Sequence, residues 1–305
     1  MQKPFEHVVI VGCGLLGTSL GLALRKRNLA RVVTGVGRAG SSSVTVAQQR
    51  GAIDRRADDA ALAVGGGMLD GISAPSADLV VVCLPIRQFP DLFKTIGPKL
   101  QPQTLVTDVG STKTQVMRWA EELLPGHVDF IGSHPMAGSE KTGPEAGREN
   151  LYEGAVCLMC RPEKPRTTTD SAFKRIATMW HDIGMRVISC SPADHDQRVA
   201  AVSHLPHALS FSLMLSAGRD PAALEAAAGG FTDMTRIAGS DPTMWLDIFL
   251  TNRDAVLDAI GKFSTELSTL KVALETKDEA AIRDFLLAAK QTRETFIEGR
   301  KKRGT

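Results

Sequence analysis

Three glycines near the amino terminus have the spacing of a dinucleotide-binding loop. Gly12, Gly14 and Gly17 follow the apolar run Val8–Val11 in the order G-x-G-x-x-G, and they lead directly into a predicted helix of small and apolar residues. The first glycine permits a tight turn, the second lets the backbone approach a pyrophosphate, and the third lets helix and strand pack closely. This spacing predicts a bound dinucleotide.

Two further points along the chain are expected to contact that nucleotide. The helix after the glycines begins at Leu15 and Leu16, and its amino end offers free amide groups and the positive end of the helix dipole to the phosphates. The apolar strand predicted from residue 78 ends at Leu84 and Pro85. In a dinucleotide-binding fold that strand end lies beside the cofactor, so we predict contacts from all four residues.

The loop after the second predicted strand, 31–36, bears on which nucleotide fits. An acidic residue at this point hydrogen-bonds the adenosine ribose in NAD-specific sites, and this chain has Gly37 instead. Arg38 and Ser41 follow in a polar loop and could meet a 2′-phosphate. The pattern favours NADP, with NAD still possible. The alternative is that Arg38 is a surface residue without a ligand.

Two polar loops follow the next apolar strands. One begins at Asp108 and contains Ser111 and Lys113, and the other contains Ser133 and His134. Because ligands bind at the carboxyl ends of parallel strands, we expect both loops at the same mouth as the glycine loop. Hydroxyl, imidazole and ammonium groups are thereby predicted beside the cofactor, and Asp108 is predicted to contact it.

The elements that hold these loops are indicated by hydrophobic periodicity. Apolar strands alternate with helices up to about residue 190, which predicts an α/β fold with a doubly wound, mainly parallel sheet of the Rossmann type. A glycine-rich stretch, 65–71, is predicted to be a flexible connection. Helical periodicity replaces strands afterwards. We expect a dinucleotide-binding domain over 1–191 and an all-helical domain over 192–305 that forms a homodimer.

Composition and charge exclude several other classes of protein. The 305 residues are 43% hydrophobic and 23% charged with a formal net charge of +2, so nucleic acid and membrane surfaces are not expected as partners. Five scattered cysteines make no disulfide framework, and Cys157 and Cys160 would point to opposite faces of a strand. No leader is expected, and no apolar run reaches the roughly 18 residues of a membrane span. We expect a cytoplasmic protein.

The remaining motifs carry a resemblance to a known family. They are SHPMAGSE at 133–140, HDQ at 195–197, SHLPH at 203–207 and GFTDMTRIAGSDPTMW at 230–245. In this order the chain resembles, over nearly its whole length, the prephenate/arogenate dehydrogenases of tyrosine biosynthesis. That family carries out an NAD(P)-dependent oxidative decarboxylation of a cyclohexadienol, which becomes aromatic. The resemblance implies that prephenate is the substrate, with arogenate, or both compounds, as the alternative.

The resemblance also implies roles for individual residues. His134 would accept the proton of the substrate hydroxyl, because an imidazole titrates near neutrality. Ser111 would orient that hydroxyl and the nicotinamide, and Arg236 would bind a substrate carboxylate. Glu140 would shape the far end of the pocket, and Trp245 would lie near the substrate, contributed by the same chain or by the partner. The other residues implied to support or line the pocket are His204, His207 and Gly229.

Several of these assignments have a structural alternative. His134 could cap a strand end, and Trp245 could belong to an apolar helix stripe. Arg236 could form an ion pair with Asp233 or Asp241. In that case its loss would destabilise the fold instead of weakening substrate binding.

Two further alternatives concern Lys113 and the histidines of the helical region. Lys113 could pair with Asp108. A metal site built from His195, His204 and His207 is not expected, because no cysteine or H-E-x-x-H pattern accompanies them. We therefore expect a reaction without a metal.

Two departures limit what the resemblance implies. Thr232 occupies a position where some members have lysine, so a second cation at the carboxylate is not expected, and Gly37 replaces the acid of NAD-type members. We expect no regulatory domain after Thr305 and no fused chorismate mutase before Met1. The competing hypotheses are another two-domain dehydrogenase, which would carry a catalytic lysine in its helical domain, and a non-catalytic NAD(P)-sensing protein.

Overall fold

An eight-stranded sheet with helices on both faces is the frame that carries the predicted loops. The structure is a computed structural model and describes residues 3–69, 71–138, 141–162 and 170–302. Its contacts divide the chain into two units, Met1–Asn252 and Arg253–Thr305. The sheet lies entirely in the first unit.

Most of the strands follow apolar runs of the sequence, but one of them has the sequence Arg-Arg-Ala. The strands are β1 (Phe5–Val11), β2 (Ala30–Val36), β3 (Arg55–Ala57), β4 (Gly67–Leu69), β5 (Ile72–Ala74), β6 (Leu79–Val82), β7 (Leu105–Asp108), β8 (Asp129–Pro135), β9 (Val156–Cys160) and β10 (Arg186–Cys190). The order in the large sheet is β10-β9-β8-β7-β6-β1-β2-β3. Every pairing is parallel except that of β8 with β9. The predicted doubly wound, mainly parallel sheet is confirmed.

Helices cover the sheet and make up the rest of the described chain after β10. Those of the first unit are α1 (Leu15–Lys26), α2 (Ser42–Gln49), α3 (Ala60–Gly65), α4 (Phe89–Ile96), α5 (Thr114–Leu123), α6 (Asp170–Asp182), α7 (Pro192–Val199), α8 (Leu205–Ala217), α9 (Pro221–Glu225), α10 (Gly229–Thr235) and α11 (Pro242–Thr251). The second unit contains α12 (Arg253–Glu275) and α13 (Glu279–Lys302). The predicted helical carboxyl-terminal region is confirmed.

β1 is buried on both faces because its side chains alternate between two layers of helices. Val8 packs in the cluster that contains Leu20 of α1, and Val9 packs in the cluster that contains Phe93 of α4. A strand covered on both sides needs apolar residues at consecutive positions. This is why the run before the glycines shows no alternation of polar and apolar residues.

The cysteines are small apolar residues of the core or its margins. Cys157 and Cys160 of β9 lie in opposite core clusters, as their spacing predicts. All five are free thiols. Burial raises the pKa of Cys13 to about 12, so this thiol is protonated at neutral pH and unreactive.

The described residues of the stretch 65–71 form defined structure, and the flexible connection predicted there is wrong. α3 ends at Gly65, and β4 then pairs antiparallel with β5, with Gly67 opposite Ala74. Gly66 has a φ of 82° and Gly67 a φ of 138°. The glycines adopt backbone conformations that turn the chain from helix into hairpin, which sequence composition alone does not distinguish from mobility.

α7, a π-helical turn (Ala200–His204) and α8 form one continuous helical run, Pro192–Ala217. By length and composition this run is apolar enough to cross a membrane, so the expectation that no run qualifies is wrong. The alanine, valine and leucine residues of its second half outweigh its polar residues. The run nevertheless carries buried His195, Asp196 and His204, which contribute polar groups to the interior of the first unit.

The first unit continues past the domain boundary predicted between residues 191 and 192. α7 is joined to α5, because the carboxylate of Asp196 accepts hydrogen bonds from the amides of Lys113 and Thr114 at 2.7 and 2.8 Å. Asn252, the last residue of the unit, donates to the carbonyl oxygen of Asp196 at 2.9 Å. The part of the predicted helical domain up to Asn252 therefore belongs to the same unit as the sheet, and the boundary at 191 stays a prediction.

Candidate active site

The glycine loop joins β1 to α1 with the geometry that its spacing predicts. Gly12 has a φ of 100°, and a Cβ atom there would lie 2.5 Å from the carbonyl oxygen of Cys83. A Cβ atom on Gly17 would lie 2.0 Å from the carbonyl oxygen of Gly12. A Cβ atom on Gly14 would meet no heavy atom of the protein within 4 Å. Turn and packing thus require two of the glycines, while the space beside Gly14 is open to a ligand.

The amino end of α1 faces the same open space. Gly14 is the N-cap and contributes no side chain, and the first intrahelical hydrogen bond runs from Thr18 N to Gly14 O at 3.0 Å. The amides of Leu15, Leu16 and Gly17 precede that bond and have no partner within the helix. Amides with this arrangement fit the pyrophosphate of a dinucleotide.

Leu84 lies against the glycine loop beyond the end of β6. Its Cδ2 atom is 3.0 Å from the position that a Cβ atom on Gly12 would take. Pro85 is exposed and precedes a 3-10 turn, Ile86–Gln88. This strand end therefore lies beside the glycine loop, and the cofactor contacts predicted for Leu84 and Pro85 stay predictions.

The loop after β2 has no acidic side chain at its start and an exposed arginine. Arg38 is exposed, and a Cβ atom on Gly37 would lie 2.8 Å from Cγ1 of Val44. Ser41 is the N-cap of α2, where its hydroxyl accepts from Ser43 N at 3.4 Å and contacts Ser43 Oγ at 2.8 Å. Arg38 is therefore accessible to a 2′-phosphate, while Ser41 already serves the helix end.

Asp108 and Lys113 form a fully buried ion pair beyond β7. Lys113 Nζ donates to Asp108 Oδ2 at 2.6 Å and to the carbonyl oxygens of Gly110 and Thr112 at 2.8 and 3.0 Å. Asp108 Oδ1 accepts from Ser133 N at 3.0 Å. The predicted pairing of Lys113 with Asp108 is confirmed. Because both carboxylate oxygens are occupied and buried, this geometry argues against the direct cofactor contact predicted for Asp108.

His134, near the end of β8, is hydrogen-bonded to a second histidine. Its Nδ1 lies 2.9 Å from Nε2 of His195, and Nδ1 of His195 lies 2.8 Å from Oδ1 of Asp196. His134 is buried, with 8% of its surface exposed. Burial lowers the pKa of His134 well below 6.5, and electrostatic interactions with His195 and Lys113 add to the effect. The imidazole is therefore neutral at pH 7 and able to accept a proton.

Asp196 and Asn252 complete this network, and the sequence assigned a role to neither. Burial alone would raise the pKa of Asp196, but hydrogen bonds from His195 and from the amides of α5 lower it overall, so the carboxylate is ionised. Asn252 Nδ2 lies 3.1 Å from Nδ1 of His204. The dipeptide His195-Asp196 is visible in the sequence beside the other motifs. No local pattern connects Asn252 with His204, because only the fold brings α11 to α7.

Trp245 lies in an aromatic cluster between α8 and α11. Its ring stacks on His207 with centroids 3.7 Å apart, and Phe211 and Phe249 pack around it. His207 Nδ1 donates to Ser203 O at 2.9 Å. The indole Nε1 is buried and has no hydrogen-bond partner among the described residues. The ring is thus part of the core, as one interpretation predicted, and its N–H is left without a partner in the described part of the chain, which is unusual for a buried polar group.

Arg236 begins a 3-10 turn after α10 and is exposed. Within the described ranges it forms no ion pair, so the predicted alternative of pairing with Asp233 or Asp241 is not found. Burial lowers the pKa of His207, and the charge of Arg236 lowers it further. This interaction indicates that the guanidinium lies near His207, which stacks on Trp245. A carboxylate bound at Arg236 would therefore lie near that stack.

The other predicted site residues have separate positions. Ser111 is half-buried in the loop between β7 and α5, and Gly229 is the exposed first residue of α10. Glu140 lies outside the described residues. Among those that are described, no cluster of three or more histidine, cysteine or acidic side chains could hold a metal ion.

Two family models match consecutive parts of the chain. The model of the prephenate dehydrogenase nucleotide-binding domain matches residues 20–189, and that of the prephenate dehydrogenase dimerization domain matches 191–288. The prephenate dehydrogenase of Bacillus subtilis is 30% identical over 299 residues, which cover 96% of this chain and 77% of that protein. The cyclohexadienyl dehydrogenase of Zymomonas mobilis is 32% identical over 307 aligned residues, 98% of this chain and 95% of that protein.

A solved structure agrees with these matches over the whole fold. The prephenate dehydrogenase from A. aeolicus, crystallised in complex with hydroxyphenyl propionate and NAD+, superposes with a TM-score of 0.87 and 33% identity, covering 97% of this chain and 100% of that one. The resemblance inferred from the motifs is confirmed. Because the two domain models together match most of its length, this chain belongs to the prephenate dehydrogenase family.

Proposed function

We propose that the chain oxidatively decarboxylates prephenate to 4-hydroxyphenylpyruvate in tyrosine biosynthesis, with NAD(P) as cofactor. The observation that supports this most is the neutral, buried imidazole of His134, hydrogen-bonded to His195 at the edge of the sheet that carries the glycine loop. Family membership supplies the class of reaction. The dinucleotide fits the loop because Gly14 leaves open space before an uncapped helix end.

His134 is the proposed proton acceptor. When bound, the nicotinamide supplies the acceptor for the hydride that leaves the ring carbinol. His134 takes the hydroxyl proton from that carbinol, which becomes a carbonyl. The bond to the ring carboxylate then breaks, carbon dioxide leaves, and the electron pair of that bond makes the ring aromatic. His134 returns its proton to the oxygen, which gives the phenol.

Arg236 is the proposed binding group for a substrate carboxylate. A planar guanidinium donates two parallel hydrogen bonds to a carboxylate, and Arg236 is exposed beside the stack of His207 on Trp245. The unpartnered N–H of Trp245 is proposed to donate to the same substrate. Ser111 is proposed to orient the hydroxyl and the nicotinamide. The remaining proposed pocket residues are Glu140, His207 and Gly229.

NADP is the proposed preferred cofactor, with NAD also accepted. The loop after β2 offers no carboxylate to the ribose at Gly37, and Arg38 is exposed beside it. An acidic side chain at position 37 would also crowd Val44, which lies 2.8 Å from the Cβ position. The A. aeolicus relative was solved with NAD+, which supports keeping NAD as an alternative. The proposed pyrophosphate and nicotinamide contacts are Gly12, Gly14, Leu15, Leu16, Gly17, Leu84 and Pro85.

Arogenate, or both substrates, is the alternative. Prephenate and arogenate differ by one keto or amino group on the side chain, and a single contact can discriminate them. A relative named cyclohexadienyl dehydrogenase is 32% identical, which supports a wider substrate range. A non-catalytic NAD(P)-sensing protein would bind the cofactor and reduce none of it.

We also propose that the chain works as a homodimer in the cytoplasm. Residues 191–288 match a domain described as a dimerization domain. Large apolar side chains in this part of the chain are exposed in the single chain, which a partner would cover. They include Val202, Leu215, Met234 and Leu250. Light scattering should give twice the 32.7 kDa mass of one chain, and a monomer mass at micromolar concentration would contradict the dimer.

Initial rates with prephenate and arogenate, each with NADP and NAD, test the proposed function. The expected result is reduced nicotinamide with prephenate, formed in equal amount to 4-hydroxyphenylpyruvate, and a higher kcat/KM with NADP. Turnover of arogenate alone would favour the alternative substrate. Cofactor binding without turnover of either compound would contradict catalysis.

A further inference from the structure

His134 is the last member of a chain of hydrogen bonds that starts at a carboxylate. Oδ1 of Asp196 lies 2.7 Å from Lys113 N and 2.8 Å from Nδ1 of His195, and Oδ2 lies 2.8 Å from Thr114 N. The two amides can only donate, so both carboxylate oxygens act as acceptors. These hydrogen bonds fix the orientation of Asp196, and together with the bond from His195 they lower its pKa against the effect of burial, so the carboxylate is ionised.

The direction of each later hydrogen bond follows from that carboxylate. An ionised carboxylate has no hydrogen to donate, so the hydrogen atom between Asp196 and His195 lies on Nδ1 of His195. Burial lowers the pKa of His195, which leaves its Nε2 as a lone pair. That lone pair faces Nδ1 of His134 at 2.9 Å, so Nδ1 of His134 carries a hydrogen atom.

We propose that His195 and Asp196 are positioning residues that hold His134 in its Nδ1–H tautomer and leave Nε2 of His134 as the proton acceptor. This inference rests on the proposed function, in which His134 takes the substrate proton. In the other tautomer, the lone pairs of His134 Nδ1 and His195 Nε2 would face each other at 2.9 Å. An N–H group would then occupy the position that must accept the proton.

Substitution of His195 by glutamine or by asparagine distinguishes its contact with His134 from its contact with Asp196. The amide of glutamine reaches about as far as Nε2 of histidine, and that of asparagine only about as far as Nδ1. His195→Gln therefore keeps an acceptor for His134, whereas His195→Asn keeps only a group beside Asp196. Because a general base contributes about 10²–10⁴-fold, we expect kcat within about threefold of native in His195→Gln and about tenfold or more lower in His195→Asn, with KM unchanged in both. Equal losses of kcat would overturn the proposal.

The tautomer is also measurable without turnover. Long-range ¹H–¹⁵N correlation spectra of the labelled full chain distinguish protonated from unprotonated imidazole nitrogens, and His134→Asn assigns the signals of His134. We expect hydrogen on Nδ1 of His134 in the native chain and in His195→Gln, and a population with hydrogen on Nε2 in His195→Asn. Hydrogen on Nε2 in the native chain, or an unchanged tautomer in His195→Asn, would overturn the proposal.

His7→Gln is the matched structural control. His7 of β1 is also fully buried and has both ring nitrogens hydrogen-bonded, Nδ1 to Pro75 O and Nε2 to Thr34 Oγ1, each at 2.8 Å. This variant should lower stability without changing kcat or the tautomer of His134. If the native chain has the Nδ1–H tautomer but does not turn over prephenate, the proposed function is contradicted. The proposed positioning role of His195 and Asp196 would still stand.

Discussion

Burial determines the acid–base behaviour of His134. The ring keeps only 8% of its surface exposed, and electrostatic interactions with His195, Lys113 and His204 add to the effect of burial in lowering its pKa. These causes favour the neutral imidazole. Removal of a hydroxyl proton requires a neutral imidazole.

The acid limb of the pH profile should lie below pH 6.5. kcat/KM falls when the base of the free enzyme is protonated, and the pKa of His134 is lowered from 6.5, which moves that protonation to lower pH. Initial rates with prephenate from about pH 5 to pH 8 measure the limb. A limb centred above 6.5 would show that another group limits the rate.

Arg236→Ala should raise the KM for prephenate by roughly ten- to a hundredfold, because a hydrogen bond to a charged group contributes about 1.5–3 kcal/mol. The KM for cofactor and the thermal midpoint should change little, since Arg236 is exposed and forms no ion pair within the described residues. Arg236→Lys is the control that keeps the charge without the bidentate geometry, and it should be intermediate. Equal increases in both KM values would contradict the carboxylate role.

At this scale, the sequence identifies residues that belong to local motifs and misses those that act across the fold. Gly12 and Gly17 belong to one strand, turn and helix, so their spacing is sufficient to identify them, although the atoms that exclude a side chain at Gly12 are those of Cys83. Asp196 and Asn252 act between α5, α7 and α11, which lie far apart along the chain. Only the packing of these helices shows what they do.

In the short loop between β1 and α1, different glycines serve packing and ligand binding. Gly17 packs against the carbonyl of Gly12, whereas the space beside Gly14 is open. Gly14 has a φ of −78°, which any residue adopts. A side chain at Gly12 or Gly17 would therefore clash with the backbone, whereas one at Gly14 would only occupy the space open to a ligand.

Gly14→Ala should weaken cofactor binding without loss of stability. Its Cβ atom would meet no protein atom within 4 Å, but it would occupy the approach to the phosphates. Gly17→Ala is the matched comparison, because its Cβ atom would lie 2.0 Å from Gly12 O, and overpacking of this kind costs about 1–3 kcal/mol or more. Thermal midpoints and the Kd for NADP measure both effects. A midpoint in Gly14→Ala as low as that in Gly17→Ala would contradict the distinction.

The strands of the large sheet other than β3 were predictable, whereas β3 itself and two further elements were not. Strands such as β6 are continuous apolar runs because helices cover both of their faces. The hairpin of β4 and β5 is short and glycine-rich, so its composition resembles that of a mobile linker. The run Pro192–Ala217 carries polar residues that obscure its overall apolar character in the sequence.

Across the whole molecule, buried histidines make the folded state sensitive to acid. Burial lowers the pKa of His7, His134, His195 and His204, the last to about 4. Each of these groups binds its proton more readily in the unfolded chain. Stability is therefore complete above the unfolded pKa near 6.5 and is lost as the pH falls.

The free energy of unfolding should decrease as the pH falls from 6.5 towards 4. For His204 alone, a pKa lowered from 6.5 to about 4 corresponds to about 3 kcal/mol once the pH is below both values. Urea unfolding at pH values of about 7.5, 5.5 and 4.5 measures the trend. His204→Asn should flatten it. A constant or rising stability over this range would contradict the burial of neutral histidines.

Turnover by His134→Asn tests the central claim most directly. Asparagine keeps a polar side chain but cannot accept a proton at neutral pH, and it leaves the glycine loop unchanged. The formation of reduced nicotinamide with prephenate should fall by about 10²–10⁴-fold, while the Kd for NADP stays within about twofold of native. Turnover equal to that of the native chain would contradict the role of His134 as the base.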